Sequence, residues 1–244
     1  MKIEELRDKT ILLLGLGQEG RSSLRYLRGI FPKQQLGVAD QLPLEKLPPE
    51  AQALLREDSR VQAHLGPGYL SSLADYDVIV KTPGFPVIHP EYLHAVKAGK
   101  IITSQTAIFF ANFPGMIVGV TGTKGKSTTA SLIHAILTRA FPDTQLLGNI
   151  GKPALDLLPQ LHSDSIVVYE LSSHQLEGLR QSPHIAVLLN IVPEHLDYYA
   201  SFEQYVEAKV NITRYQTEQD FLVYDADHDI PHRIALSSAA SKIP

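Results

Sequence analysis

The fold is decided by residues 116–141, which read MIVGVTGTKGKSTTASLIHAILTRAF. The residues up to Val120 are apolar and partly β-branched, a pattern typical of a short buried strand. The glycine-rich sequence GTKGKST (122–128) follows. After it, apolar residues recur at helical spacing: Leu132, Ile133, Ile136, Leu137 and Phe141. The stretch therefore predicts a strand, a glycine turn and a helix with one apolar face.

A glycine turn between a strand and a helix is suited to bind a polyphosphate. Glycines let backbone N–H groups point inward, and the helix N-terminus adds unpaired N–H groups and partial positive charge. Lys126 is placed to reach the β- and γ-phosphates, and the Ser127 hydroxyl to ligate Mg²⁺. The alternative, an ordinary glycine turn, does not explain why Gly-Lys-Ser stands at this junction. The spacing G-x-x-G-K-S is shorter than that of most P-loop NTPases.

Composition limits the class of protein. The chain has 244 residues, of which 44% are hydrophobic and 20% charged, so it has enough material for one large or two ordinary globular domains. A net charge of −4 gives no electrostatic case for nucleic acid. The absence of cysteine excludes disulfides and cysteine-bound metal. Because neither a signal peptide nor a membrane-spanning run is visible, we expect a cytoplasmic protein without membrane contacts; the sequence leaves the oligomeric state undetermined.

A second glycine motif stands near the N-terminus. A predicted strand at residues 10–14 leads into Gly15-Leu-Gly17-Gln-Glu-Gly20, a helical segment follows, and Asp40 ends the next strand. G-x-G-x-x-G between a strand and a helix, followed by an acid, is typical of dinucleotide sites. It indicates a nucleotide-like ligand without identifying NAD. A tight turn required only for strand–helix packing is the alternative.

The first half of the chain alternates between strands and helices. Strands are predicted at residues 61–65, 77–80 and 101–102, and helices at Pro49–Glu57 and Pro90–Lys97. This alternation implies a parallel sheet with helices on both faces. A second alternation of strands and helices begins at Met116, so we predict two α/β domains, residues 1–104 and 105–244.

The second half places chemical groups at the ends of predicted strands. The strand at residues 165–170 ends in Glu170, and the strand at 186–191 precedes His195. A strand-end glutamate is usually solvated and a lone histidine usually structural. Because a parallel sheet brings both to the edge that carries Lys126, we favour a functional role, with Glu170 as a Mg²⁺ ligand. Residues 146–151 predict a turn, 221–224 a last strand, and 225–244 no further element.

Taken together, these motifs resemble the ATP-dependent Mur ligases of peptidoglycan synthesis. The shared segments are GLGxxG (15–20), TPG (82–84), the short phosphate loop, GNIG (148–151), ELSSHQLE (170–177), EHLD (194–197) and the lysine at 209. They occur in order along nearly the whole chain. Within the family, the chain most resembles the branch that adds D-glutamate to UDP-N-acetylmuramoyl-L-alanine.

The resemblance implies a domain plan. An N-terminal Rossmann-like parallel-sheet domain, residues 1–104, would bind the UDP-substrate. A P-loop α/β domain, residues 105–244, would be the central ATP-binding domain in incomplete form. The third domain of such ligases, which binds the incoming amino acid, would be absent. We therefore expect this chain to be unable to complete the ligation alone.

The resemblance also implies residue roles. Lys126, Glu170, His195 and Lys209 would be catalytic. ATP would be bound by Gly122, Thr123, Lys124, Gly125, Lys126, Ser127 and Thr128. Ser127 and Glu170 would hold one Mg²⁺, and His195 and Lys209 a second, with Lys209 carbamylated. The UDP-muramoyl substrate would contact Gly17, Gln18, Asp40, Thr82, Gly84, Asn149, Gln175 and His195.

The implied reaction is an ATP-dependent ligation. The carboxylate of UDP-N-acetylmuramoyl-L-alanine attacks the γ-phosphate, an acyl phosphate forms, and the amine of D-glutamate displaces phosphate. Two other hypotheses remain open at this point. One is a NAD-dependent oxidoreductase, based on GLGxxG and Asp40. The other is a nucleotide-binding protein without catalytic activity.

Overall fold

The computed structural model describes residues 1–244, which form two compact units, each built on a parallel sheet. The first unit comprises Met1–Asn112 and Pro153–Asp156, and the second comprises Phe113–Lys152 and Leu157–Pro244. A Rossmann-like parallel-sheet domain followed by a P-loop α/β domain is thereby confirmed as the fold class. None of the helices has the length and apolar character needed to span a membrane.

The first unit contains five parallel strands in the order β3-β2-β1-β4-β5. The strands are β1 (Ile11–Leu14), β2 (Leu36–Asp40), β3 (Val61–Leu65), β4 (Val78–Lys81) and β5 (Ile101–Ser104). The helices are α1 (Gln18–Ile30), α2 (Pro49–Glu57), α3 (Pro90–Lys97) and α4 (Gln105–Asn112). Strand β1 is a continuous apolar run because both of its faces are buried.

Strand β1 is also the point at which the strand order reverses. Chain connections run from β1 outward to β2 and β3, and then return to β4 on the other side of β1. Such a reversal leaves a crevice at the carboxyl ends of the strands, where open α/β sheets bind ligands. The residues at those ends are Gly15 after β1, Asp40 ending β2, and Thr82 after β4.

The second unit contains six parallel strands in the order β11-β10-β9-β6-β8-β7. The strands are β6 (Met116–Thr121), β7 (Thr144–Gly148), β8 (Ile166–Glu170), β9 (Ile185–Leu188), β10 (Phe221–Tyr224) and β11 (Ser241–Ile243). The helices are α5 (Lys126–Ala140), α7 (Ser173–Leu176), α8 (Phe202–Val210) and α9 (Asp229–Ser237), whereas all of α6 (Ala154–Leu157) except Leu157 belongs to the first unit. Strand β6 lies between β8 and β9, so the loop after β6 has a strand end on either side.

Helix α5 follows the predicted spacing, but its buried face is narrower than predicted. Ile133 and Leu137 pack against the core around Val118 and Val120. Leu132 and Ile136 are instead 59% and 68% exposed. Apolar spacing therefore identified the helix but did not determine which apolar residues face the sheet.

Four elements lie where the sequence predicted none. Strand β7 overlaps residues 146–151, which were predicted to form a turn. Its two leucines and terminal glycine are too short a pattern to identify a strand. Residues 225–244, predicted to lack further elements, form helix α9 and strand β11. Strand β11 is short and exposed and exists through its pairing with β10, which local sequence does not reveal.

Helix α4 is the fourth of these elements, and it belongs to the first unit. The Gln105 side-chain amide donates to the Glu19 carbonyl oxygen (2.9 Å), and the Ile3 N–H donates to the Asn112 side chain (3.0 Å). The compact units consequently divide between Asn112 and Phe113. The sequence places the domain boundary earlier, between residues 104 and 105.

Candidate active site

The phosphate loop has the geometry of an anion site. Helix α5 begins at Lys126, and its N-cap residue, Gly125, adopts φ 82°, a left-handed conformation natural to glycine. No side chain caps this helix. The N–H groups of its first turn therefore lack the usual side-chain acceptor and, with the helix dipole, favour an anion. Ser127 and Thr128 lie in this turn and are exposed to solvent.

Thr123 fastens the loop to the segment that follows β9. Its backbone N–H donates to the Asn190 carbonyl oxygen at 2.8 Å. Its hydroxyl accepts from the Val192 N–H (2.9 Å) and lies 3.0 Å from the Tyr205 hydroxyl. These bonds fix the backbone of the phosphate loop relative to residues 190–192.

Both lysines of the loop have partners close by. The Lys126 ammonium donates to the Thr123 carbonyl oxygen at 2.9 Å. The Lys124 ammonium lies 2.6 Å from Glu194 Oε1. The hydrogen bond from Lys124 holds the pKa of Glu194 below its ordinary value, although partial burial opposes this. The loop therefore presents two cations that a polyphosphate can attract away from these partners.

Glu170 supplies a buried carboxylate beside the loop. It pairs in register with Val120, at the end of β8, and is 0% exposed. Its Oε1 accepts a long hydrogen bond from the Asn149 amide (3.4 Å), while Oε2 has no hydrogen-bond partner. A buried carboxylate oxygen without a partner is unfavourable, and a divalent cation is the kind of ligand that compensates it.

Lys209 is the second buried charge-bearing group. Helix α8 places it with 1% exposure, and its ammonium donates to the Gly122 carbonyl oxygen (2.9 Å) and the Thr121 hydroxyl (3.3 Å). The ammonium also lies 4.8 Å from the centre of the Tyr205 ring. Burial lowers the pKa of Lys209 to about 7, and the charge of Lys126 acts in the same direction.

His195 adopts an unusual backbone conformation. Its φ is 57°, a value uncommon outside glycine and associated with functional strain. The imidazole Nε2 lies 3.8 Å from Glu194 Oε2, and the ring packs against those of His174 (4.9 Å between centroids) and Tyr205 (6.2 Å). The side chain is 45% exposed, so its ring remains accessible to a ligand.

The predicted metal ligands do not form a ready-made cluster of histidines and acids. No group of three or more His, Cys, Asp or Glu residues is arranged to hold a metal. The predicted set uses a hydroxyl, on Ser127, and a lysine, Lys209, which becomes an oxygen ligand only after carbamylation. The unpartnered oxygen of Glu170 is the feature that fits a divalent cation.

Asn149 and Gln175 have structural contacts in addition to their predicted substrate role. The Asn149 N–H donates to the Glu170 carbonyl oxygen at 3.2 Å. Gln175 is buried and forms a reciprocal capping box with Ser172 at the start of α7. The sequence S-S-H-Q (172–175) has the spacing of a capping box, but this box was not identified from the sequence.

The first unit has a cavity of about 260 Å³ at the reversal of strand order. Its lining includes four residues predicted to contact substrate, Gly17, Asp40, Thr82 and Gly84; Gln18 is not among the lining residues. Two aromatic residues that line the cavity, Tyr69 and Phe85, were not identified from the sequence. Phe85 directly follows the TPG turn, which could have identified it, whereas Tyr69 lies in a 3₁₀ segment without a motif.

Asp40 shapes this cavity through its hydrogen bonds. One carboxylate oxygen accepts from the Leu16 N–H (2.7 Å) and the other from the Leu42 N–H (2.9 Å). The bond from Leu16 ties the turn after β1 to the end of β2, and the bond from Leu42 orders the chain just after β2. Each oxygen can accept a further hydrogen bond, so Asp40 can support the turn and still contact a ligand.

The glycines of the first motif have different purposes. A Cβ on Gly20 would lie 2.0 Å from the Gly15 carbonyl oxygen, so helix α1 can approach β1 only with glycine there. A Cβ on Gly17 would meet nothing within 4 Å. Packing therefore explains Gly20 but not Gly17, and the open space at Gly17 is available to a ligand.

Two family models match the chain. The Mur ligase middle domain matches residues 120–243, and the Mur ligase MurD-like N-terminal domain matches residues 9–104. Together they account for both compact units in the order in which the sequence predicts them.

Curated relatives extend this result. A UDP-N-acetylmuramoylalanine–D-glutamate ligase of Symbiobacterium thermophilum is 40% identical over 95% of this chain and 50% of its own length. A ligase of the same name from Acetivibrio thermocellus is 36% identical over 95% of this chain and 49% of its own length. The chain thus spans about half the length of the curated relatives it matches.

Solved structures agree in fold. The UDP-N-acetylmuramate:L-alanyl-gamma-D-glutamyl-meso-diaminopimelate ligase of Neisseria meningitides matches 96% of this chain and 77% of its own, with a TM-score of 0.60 and 19% identity. The UDP-N-acetylmuramate-alanine ligase of Thermotoga maritima matches 96% of this chain and 53% of its own, with a TM-score of 0.53 and 21% identity. At these identities the likeness supports the fold alone.

Proposed function

The chain belongs to the Mur ligase family, and from this premise we propose that it carries the nucleotide and UDP-sugar sites of a D-glutamate-adding ligase. The reaction is the ATP-dependent ligation of D-glutamate to UDP-N-acetylmuramoyl-L-alanine in peptidoglycan precursor synthesis, which we place in the cytoplasm. The choice of D-glutamate rests on the names of the curated relatives. Because the chain spans about half the length of these relatives, the activity of the whole protein is part of the proposal.

ATP binds at the phosphate loop in this proposal. The uncapped first turn of α5 and the ammonium groups of Lys124 and Lys126 provide donors and positive charge for the β- and γ-phosphates. The Ser127 hydroxyl lies in the same turn and is exposed, so it is accessible to a metal ion that accompanies the phosphates. The observation that carries the assignment is Glu170, whose buried, unpartnered oxygen lies one strand away.

Ser127 and Glu170 would hold one Mg²⁺ ion, and His195 and carbamylated Lys209 would hold a second. When bound, Mg²⁺ supplies charge neutralisation for the phosphate oxygens. Lys209 is suited to carbamylation because its lowered pKa leaves a neutral, nucleophilic amine at ordinary pH. The carbamate then replaces a buried cation by an anionic oxygen ligand.

The UDP moiety binds in the cavity of the first unit. Gly17, which packing does not explain, leaves the backbone open to close approach by a diphosphate. Asp40 can accept a hydrogen bond from the nucleoside, and Thr82 and Gly84 also line the cavity. In the second unit, Asn149, Gln175 and His195 are the proposed contacts of the muramoyl portion.

The residues of this chain have defined tasks in the reaction. The substrate carboxylate attacks the γ-phosphorus, the bond to ADP breaks, and an acyl phosphate forms. Lys126 stabilises the negative charge that accumulates on the transferred group, because its ammonium is fixed beside the loop. The D-glutamate amine then attacks the acyl carbon, and phosphate leaves.

Calorimetry tests this proposal directly. UDP-N-acetylmuramoyl-L-alanine and Mg-ATP are each titrated into the protein, with NAD as the control ligand. We expect the UDP-sugar and Mg-ATP to bind and NAD not to bind. Binding of NAD alone would contradict the ligase assignment and favour an oxidoreductase, whereas Mg-ATP binding without UDP-sugar binding would restrict the proposal to the nucleotide site.

A further inference from the structure

Glu194 faces two functional groups with its two carboxylate oxygens. Oε1 lies 2.6 Å from the ammonium of Lys124, within the phosphate loop. Oε2 lies 3.8 Å from Nε2 of His195, the residue with positive φ. One carboxylate is thus shared between the loop and the imidazole.

The backbone before Glu194 is fixed, while the side chains of Lys124 and Glu194 are free to exchange partners. The Thr123 N–H donates to the Asn190 carbonyl oxygen, and the Val192 N–H donates to the Thr123 hydroxyl, so the two segments are held together. The Lys124 side chain is 80% exposed, so its ion pair with Glu194 is solvated and weak. An anion bound to the loop can therefore attract Lys124 without disturbing the fold.

We propose that Glu194 is a positioning residue that links occupation of the phosphate loop to the orientation of His195. Glu194 holds Lys124 in place of a phosphate whenever no anion is bound to the loop. When phosphate takes Lys124, the carboxylate is released to accept a hydrogen bond from His195 Nε2. A carboxylate in this position fixes the orientation and tautomer of an imidazole.

This inference rests on the proposed function only in treating residues 122–128 as a phosphate site. It adds that an acidic residue outside the loop competes with the phosphate. It predicts that removing the negative charge strengthens phosphate binding, whereas a carboxylate needed only to hold the loop in shape would weaken binding when lost.

The test uses inorganic pyrophosphate in chelator-treated buffer, so that metal binding does not contribute. Calorimetry compares the wild type with E194Q, K124Q and the double variant. The matched control is E207Q, which removes the same charge from a residue of α8 that is ion-paired with Arg214. We expect E194Q to bind about two- to fivefold more tightly, the range that an exposed ion pair contributes. The gain should vanish in the K124Q background, and E207Q should match the wild type.

A second readout follows His195 itself. Its imidazole NMR signals, assigned with the H195Q variant, should shift when pyrophosphate is added to the wild type and stay unchanged in E194Q. Unchanged or weaker pyrophosphate binding by E194Q overturns the inference, as does an equal imidazole shift in both proteins. Failure of the wild type to bind pyrophosphate or Mg-ATP would overturn the phosphate site as well, which distinguishes the two failures.

Discussion

The Lys209 ammonium lies 2.9 Å from the carbonyl oxygen of Gly122, the residue that opens the phosphate loop. Neither of its hydrogen-bond partners is a carboxylate; the second is the Thr121 hydroxyl. A buried ammonium that has only neutral acceptors gains by losing its proton. This contact links a helix lysine to the proposed nucleotide site, and it gives Lys209 chemical properties that a solvated lysine lacks.

The first prediction concerns carbamylation of Lys209. Because burial lowers its pKa to about 7, Lys209 has a neutral amine at pH 8, whereas an ordinary lysine is almost entirely protonated there. In ¹³C-bicarbonate we expect one slowly exchanging carbamate signal by NMR, lost in K209R. The variant K97R, which changes an exposed lysine, should retain the signal. A carbamate signal that survives in K209R would contradict the assignment.

The second prediction is that the free energy of unfolding depends on pH when carbon dioxide is excluded, so that Lys209 stays uncarbamylated. The folded-state pKa of Lys209 is about 7, below the unfolded value of 10.5, so between these values only the unfolded chain binds the proton. Stability therefore rises with pH through this window, by about 1.4 kcal/mol per pH unit at most, and the full penalty of burying the charge applies below pH 7.

Denaturant unfolding at pH 6 to 9 measures this effect against K209M. The free energy of unfolding of the wild type minus that of K209M should be constant below pH 7 and increase above it. A difference that stays constant up to pH 9 would show that Lys209 keeps its proton in the folded protein.

The third prediction concerns Glu170 and divalent cations. Its unpartnered, buried oxygen gives Mg²⁺ a ligand that the folded protein otherwise leaves uncompensated. With ADP present, adding Mg²⁺ should raise the melting temperature of the wild type but not of E170Q, since an amide is a poor ligand in place of a carboxylate. E207Q serves as the control for loss of charge. An equal Mg²⁺-dependent increase in E170Q would exclude Glu170 as a ligand.

Local pattern was sufficient to predict the strand, loop and helix around Lys126, and to place Glu170 at a strand end. These features depend on residues adjacent in sequence. The position of Lys209 depends instead on how α8 packs against the loop, and a lysine on a helix is usually solvated, so its own spacing gave no signal. Its proposed role came from family resemblance, and its burial and the contact with Gly122 came from the structure.

The lining of the cavity in the first unit was also only partly predictable from local sequence pattern. Gly17, Asp40 and Thr82 belong to recognisable turns, and the structure brings them to one crevice. Tyr69 reaches that crevice from a 3₁₀ segment after β3, a placement set by the pairing of β3 with β2. No periodicity marks such a residue, because its contribution depends on contacts that are distant in sequence.

The last prediction separates the structural and ligand-binding purposes of the first glycine motif. G20A places a methyl group 2.0 Å from the Gly15 carbonyl oxygen, so the helix must shift, and we expect a loss of about 1–3 kcal/mol in unfolding free energy. In G17A the added methyl group contacts no other atom, and φ of −64° is allowed for alanine. As a substitution at the N-cap of α1, it should lower the free energy of unfolding by less than about 1 kcal/mol. Because Gly17 lines the cavity, G17A should nevertheless bind UDP-N-acetylmuramoyl-L-alanine at least tenfold more weakly by calorimetry, since about 1.4 kcal/mol of lost contact is enough. If G17A binds as tightly as the wild type, the turn serves packing alone and the UDP site must lie elsewhere.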